Sequence, residues 1–289
     1  MADIAETGNG TFAYARRGEL VDWALSSDPG TQREHNEDFA GAFVPPGLES
    51  TWERGPLFIV ADGMGGHAAG EVASKVAVER VLNSWVSRPP SAPSQMLRTA
   101  VRDANIAVLD TAITGNLQGM GTTIVAAALA GHEAIIAHVG DSRAYLVHGD
   151  ECTQITADHS RVAEMVRMRM ITPEQAAVHP SRSMLTRNLG GEMTVQVDLD
   201  TVTLAEQDAL VLCTDGLWDL VSRPELAEHI GLLREGKATA ANEVCALLVD
   251  LALKRGATDN VTCLVARVMT DRPIPGAGAK RSLFRRGRS

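Results

Sequence analysis

From Leu57 to His67 an apolar run stops at a carboxylate and then breaks into glycines: Leu57-Phe58-Ile59-Val60-Ala61, then Asp62-Gly63-Met64-Gly65-Gly66-His67. The run is short, β-branched at its centre and bounded by Pro56 and Gly63, which predicts a buried strand. A carboxylate at the tip of such a strand leaves the core at a fixed point, and the glycines beyond it permit close backbone approaches that a side chain would block. The pattern recurs. Ala209-Leu210-Val211-Leu212-Cys213-Thr214 ends in Asp215-Gly216, Asp259-Asn260 stands directly before the apolar run Val261 to Val268, and Asp141 follows Val139-Gly140. Glu37-Asp38 adds an acidic pair near the N-terminus. Carboxylates spread over the chain but placed at strand ends can converge as an all-oxygen ligand set for hard cations.

A chain of 289 residues that is 45% hydrophobic can bury a full core. No run approaches the ~20 apolar residues of a membrane helix, and the N-terminus lacks a signal-peptide pattern, so a cytoplasmic protein is expected. Cys152, Cys213, Cys245 and Cys263 have no Cys-x-x-Cys spacing and are read as inert core thiols. The net charge is −9, but residues 271–289 hold six basic residues and one acid, leaving +5 there and −14 on the rest. An acidic body argues against nucleic-acid binding.

Residues 1–19 are expected to be a loose arm or an added edge strand. A strand at about 20–25 leads to the polar loop Gly30 to Asp38. Helical spacing at Val72, Val76, Val81 and Trp85 predicts a helix over about 71–86, and Ser94 is a candidate cap for a second one running to about 114. Three close strands follow, at about 121–130, 134–139 and 143–148. Their short links, Gly131-His132 and Gly140-Asp141-Ser142, predict antiparallel hairpins. The stretch from Asp158 to His179 is helical in pattern, rich in Met and Arg, and is expected to be exposed and mobile. Strands at about 194–204, 208–214 and 261–268 and helices at about 224–233 and 238–255 complete an α+β pattern. Asp198-Leu199-Asp200-Thr201-Val202 superficially fits an aspartyl-phosphate motif. Its alternation instead puts both carboxylates on the wet face of a half-buried strand. A cysteine-based phosphatase would need Cys-x5-Arg, and no arginine stands six residues beyond any cysteine.

Arg33-x-x-Asn36-Glu37-Asp38, Asp62-Gly63-Met64-Gly65-Gly66-His67, Gly121-Thr122-Thr123, Gly140-Asp141-Ser142-Arg143, Asp158-His159-Ser160, Leu185-Thr186-Arg187-x-Leu189-Gly190, Thr214-Asp215-Gly216-Leu217-Trp218-Asp219 and Asp259-Asn260-Val261-Thr262 occur in that order. Together they strongly resemble the metal-dependent protein phosphatase family known as PP2C, in its bacterial serine/threonine form, over about residues 20–270. The resemblance implies an α-β-β-α sandwich, two antiparallel sheets with helix pairs on both outer faces. It implies hydrolysis of phosphoserine and phosphothreonine by a hydroxide bridging two Mn²⁺ or Mg²⁺ ions, which lower its pKa and neutralise phosphoryl charge. In that scheme Asp62 bridges both ions, Asp215 and Asp259 complete one site, and Glu37 with the Gly63 carbonyl holds the other. Asp38 orients water, Arg33 grips the phosphate with its fork, and Asp141 and Asp219 hold a third, weaker ion. Asn260 is expected to orient its loop. His67 is a candidate for protonating the leaving group or for stabilising its loop, since the family's eukaryotic histidine position is Met64 here. His159 is expected to be structural.

Residues 161–184 match the flap beside the active site in bacterial relatives, with Arg169 where glycine is common and Ser183 where asparagine is common. The implied partners are phosphorylated proteins, a bacterial serine/threonine kinase and its targets; a monomer is expected. The alternative is a silent phosphoprotein-binding pseudo-phosphatase, which would not need the intact ligand set. Residues 271–289 are expected to be a disordered basic tail, or a salt-sensitive contact to an acidic partner or anionic surface.

Overall fold

Blocks of strand-forming and helix-forming residues alternate along this chain, and the computed structural model stacks them in four layers. It describes residues 3–6, 10–48, 54–65 and 69–276, the first four in backbone only. In chain order the elements are β1 (Asp3–Glu6), β2 (Phe12–Arg17), β3 (Val21–Asp28), β4 (Asp38–Val44), β5 (Leu57–Met64), α1 (Ala69–Ser87), α2 (Pro93–Thr114), β6 (Gly121–Thr122), β7 (Ile124–Ala130), β8 (Glu133–Val139), β9 (Arg143–His148), β10 (Glu151–Gln154), α3 (Arg161–Arg167), α4 (Pro173–Ala177), β11 (Asp198–Thr203), β12 (Ala209–Cys213), α5 (Asp215–Trp218), α6 (Arg223–Arg234), α7 (Ala241–Lys254) and β13 (Val261–Val268). One antiparallel sheet runs β1-β4-β5-β7-β8-β11 with β6 against β5; the other runs β10-β9-β12-β13-β3-β2.

The sheets face each other across Leu25, Phe58, Val60, Ile136, Leu212 and Leu264. Outside the first sheet, α1 and α2 pack Ala73, Ala77, Val81, Leu97 and Val101 against Phe43, Ile59 and Ile124. Outside the second, α6 and α7 pack Leu226, Ile230, Val244 and Leu248 against Val211 and Val265. Covered on both faces, the central strands cannot alternate: every residue of β12 and β13 is buried. The fold is the expected α-β-β-α sandwich.

Three local expectations change. Ser94 does not cap α2. Pro93 takes the first helical turn behind Ala92, which makes no side-chain cap, because a proline with its φ preset and no N–H to satisfy suits that position. The link Gly140-Asp141-Ser142 is not a hairpin: β8 lies in one sheet and β9 in the other, so Asp141 stands where the chain crosses the sandwich. The segment from Asp158 holds two short helices, α3 and α4, rather than one.

At the N-terminus, β1 and β2 edge different sheets. At the C-terminus, Ile274 is buried and bonded to Gly131, so the chain still packs on the body beyond residue 270. The basic cluster from Lys280 to Arg288 lies outside the described residues.

Candidate metal centre

Strand pairing brings the first two carboxylates together. Asp38 opens β4 and Asp62 lies near the end of β5, and the antiparallel register sets them directly opposite each other. Residue 63 must be glycine. A Cβ there would come within 2.1 Å of the Gly70 carbonyl and 2.5 Å of the Glu37 carbonyl, and the Gly63 amide donates to that Glu37 carbonyl at 3.1 Å. Gly216 has the same basis, with the Asn260 carbonyl 2.1 Å from where its Cβ would stand. Thr122 and Thr123 pin Asp62 itself. The Thr122 hydroxyl and the Thr123 amide donate to the Asp62 carbonyl, and the Asp62 amide donates to the Thr123 hydroxyl. The Thr123 hydroxyl also meets that of Ser142 at 2.7 Å, tying the strand tip to the Asp141 crossing.

Asp38 is 2% exposed. Its Oδ2 accepts from Thr214 at 2.8 Å and Thr262 at 2.7 Å. Behind Thr262 stand Ser27, and Asn36 donating to Ser27. Oδ1 of Asp38 has no partner. Burial and the charges of Asp215 and Asp259 push this carboxyl up to about 7 against the pull of the two threonines. Burial, with the charges of Asp38, Asp215, Asp141 and Asp259, raises Asp62 well above the carboxylate range. Burial and the Asp215 charge raise Asp141 to about 7. Burial, Asp259 and Asp219 raise Asp215 to about 6. Burial likewise raises Glu37.

Among the described residues no cationic side chain is bonded to Asp38, Asp62, Asp141 or Asp215. Crowded carboxylates that face one another without a cation, one of them with an orphaned oxygen, fit divalent cations that take oxygen ligands. The donor set is therefore chemically suited to the expected ions.

The remaining expected residues lie around this group. Asp215 opens α5, and the Asp219 amide donates to its carbonyl at 2.9 Å, so one helical turn relates the two. Asp219 is partly exposed and paired with Arg182 of the expected flap at 3.0 Å. Arg33 is half exposed and paired with Asp259 at 2.9 Å. The Asn260 side chain accepts from the Glu37 amide and donates to the carbonyls of Pro29 and His35. It fastens the loop that carries Arg33 and Glu37. His67 lies outside the described residues.

Sequence reasoning gave no role to several residues that hold the site. The Trp218 indole N–H donates to the Asp141 carbonyl at 3.0 Å, and the Arg143 guanidinium lies 3.5 Å over the Trp218 ring. Arg143 also grips Asp158 through Nε and a terminal nitrogen and donates to the Tyr145 hydroxyl. Thr214 and Thr262 had a signal, since Thr214 precedes Asp215 and Thr262 stands two residues beyond Asn260.

His138, His159 and Asp198 form a second cluster of metal-ligating types. Both ring nitrogens of His159 are engaged: Nδ1 accepts from the Gly140 amide, and Nε2 meets Asp198. Arg187 stands 2.8 Å from Asp198 and 3.2 Å from His159 Nε2, where it would repel a cation. Burial lowers the His159 pKa to about 4, so it acts as a neutral strut under Gly140-Asp141.

The model of the family described as Protein phosphatase 2C matches residues 34–247. A serine/threonine phosphatase, Stp, from Listeria innocua is 37% identical over 244 residues, covering 83% of this chain and 92% of that one. The serine/threonine protein phosphatase PstP of Mycobacterium tuberculosis is 37% identical over 256 residues, 86% of this chain and 45% of that longer one. The crystal structure of that Mycobacterium tuberculosis phosphatase superposes with a TM-score of 0.75 at 36% identity, covering 87% of this chain and all of the other. A structure of the PstP catalytic domain in complex with two manganese ions gives 0.73 at 35% identity, over 87% and 99% of the two chains. With the sandwich, the carboxylate cluster and these matches together, the chain belongs to the protein phosphatase 2C family.

Proposed function

We propose that this protein hydrolyses phosphoserine and phosphothreonine in proteins with Mn²⁺ or Mg²⁺, by direct attack of water on phosphorus. The convergence of buried Asp38 and Asp141 with partly buried Asp62 and Asp215, none of them bonded to a cationic side chain among the described residues and each with its pKa raised by burial and by its neighbours' charge, carries the reading. Asp62, Asp215, Asp259, Glu37 and the Gly63 carbonyl would hold two ions, and Asp141 with Asp219 a third, weaker one. Bound there, divalent ions supply a water of lowered pKa and neutralise charge on the phosphoryl oxygens.

The chain's own groups do the rest. Asp38 keeps one oxygen free of protein partners, so it can orient the attacking water and accept its proton. Arg33 stands half exposed at the rim, where its fork can take two phosphoryl oxygens. His67 is assigned the proton for the leaving serine or threonine oxygen. The family relatives named as serine/threonine phosphatases support this substrate class. A bacterial serine/threonine kinase and its targets in the cytoplasm are the proposed counterparts. No helix among the described residues is long and apolar enough to cross a membrane.

The test is phosphate release from a phosphoserine peptide by the full chain. Release should need Mn²⁺ or Mg²⁺, stop on chelation and be lost in Asp215→Asn. Tight peptide binding without release, under all metal conditions, would favour the pseudo-phosphatase instead.

A further inference from the structure

Residues 1–270 carry −14, and many of their arginines are held by carboxylates: Arg88 by Asp103, Arg143 by Asp158, Arg187 by Asp198, Arg255 by Glu225. Like Arg80, Arg161, Arg169 and Arg223, Arg98 and Arg102 are not held this way. They are exposed, one turn apart on α2, and no carboxylate among the described residues is bonded to either. The carboxylate next in sequence, Asp103, is already shared by Arg88 and the Ser84 hydroxyl. Both arginines line a groove of about 470 Å³, together with Ser94, Gln95 and Thr99 of the same helix and Leu199 of β11. No acidic side chain lines it. Two arginines on a helix face are ordinarily just solvated. Here they border a concavity closed by a second element and lined by hydroxyl and amide donors. Unpaired cations in an acidic body, in a recess rich in donors, match a tetrahedral oxyanion with several acceptor oxygens.

We propose that this groove binds a phosphoryl group on the substrate protein, separate from the one that is hydrolysed. It rests on the phosphoprotein reading above for its choice of ligand. The groove is not part of the catalytic cluster. The groove shares no residue with it: Asn105, about one turn further along α2, is bonded to the Gly190 amide, Leu189 pairs with Thr122, and the Thr122 hydroxyl donates to the Asp62 carbonyl. A substrate phosphorylated twice would be held at both points.

The experiment uses the full chain and two measurements. In the first, a fluorescent peptide carrying one non-hydrolysable phosphonate analogue of phosphoserine, with no scissile group, is titrated in fluorescence anisotropy. Arg98→Gln/Arg102→Gln should weaken its binding at least tenfold, with hydrolysis of a small aryl phosphate unchanged. In the second, that phosphonate is placed on a phosphoserine peptide at separations scanned from two to ten residues, and kcat/KM should rise at least tenfold at one or more of them. That rise should be absent in the double variant. Equal binding by wild type and variant, or an equal rise in both, overturns the proposal. A run of glutamates bound as tightly as the phosphonate overturns the phosphoryl assignment. Because the first measurement needs no turnover, a chain that binds the phosphonate at Arg98 and Arg102 yet hydrolyses nothing would refute the catalytic reading alone.

Discussion

Replacing Asp141 by asparagine should stabilise the chelated protein, by an amount that grows with pH. Asp141 is almost fully buried at the crossing between the sheets, and burial with the Asp215 charge holds its carboxyl at about 7. In the unfolded chain an aspartate titrates near ~3.9. Between these values the folded protein keeps a proton that the unfolded chain has released. The folded state is therefore favoured at the acid end, and that advantage is lost as pH rises through 7. Three units amount to about 4 kcal/mol, of which about 3 kcal/mol falls between pH 5 and 8.

Asparagine carries no charge to desolvate, so Asp141→Asn should gain that ~3 kcal/mol on wild type over the same interval. His159 works in the opposite direction, since burial lowers its pKa to about 4 and its contribution to stability is lost as pH falls from about 6.5. That effect is common to both proteins and cancels in the comparison. The assay is urea unfolding in excess chelator at pH 5, 6, 7 and 8. Saturating Mn²⁺ should shrink or reverse the variant's advantage, because a cation then offsets the charge. A difference between the two proteins that does not change with pH would refute the picture of Asp141 as a buried carboxylate without a counter-charge.

Three further predictions concern neighbouring residues. Arg33→Ala should mainly raise KM for phosphopeptides, and Arg33→Lys should recover only part of the loss, because a point charge replaces a fork; unchanged kinetics in both would remove Arg33 from the site. Trp218→Phe keeps a ring under Arg143 but leaves the Asp141 carbonyl without its donor. It should cost about 1–3 kcal/mol of stability and weaken the weakest Mn²⁺ step in calorimetry, whereas an unchanged titration would make Trp218 only a packing residue. Thr262→Val removes one of two donors to Asp38, so the acid limb of the pH–kcat profile should move up by about one to two pH units. A limb that stays in place would mean Asp38 does not set it.

Much of the site was legible because its carboxylates stand at the ends of apolar runs, which local pattern marks well. Asp62 and Asp215 could be placed this way, and β13 matches the expected run Val261 to Val268, whereas Asp38 reads as the end of a polar loop and the strand β4 that it opens was not expected. Sheet membership was not legible. Gly140-Asp141-Ser142 reads as a turn whether the next strand folds back on the same sheet or crosses to the other. The pairing of the next strand, β9, with β10 and β12 rather than with β8 decides it. The Ser94 cap failed because Pro93 competes for the same turn. The pairing of Arg33 with Asp259 and of Trp218 with the Asp141 carbonyl joins residues 226 and 77 positions apart. No local spacing encodes such contacts; they follow from the order of strands in the sheets.

The central claim is that the buried carboxylates are a metal centre, and anomalous diffraction at the manganese edge tests it most directly. Crystals of the full chain grown with Mn²⁺ should show two strong peaks among Asp62, Asp215, Asp259 and Glu37, with a weaker one between Asp141 and Asp219. Soaking in chelator should remove them. The absence of any peak in that cluster at saturating Mn²⁺, or a peak only at His138, His159 and Asp198, would contradict the account.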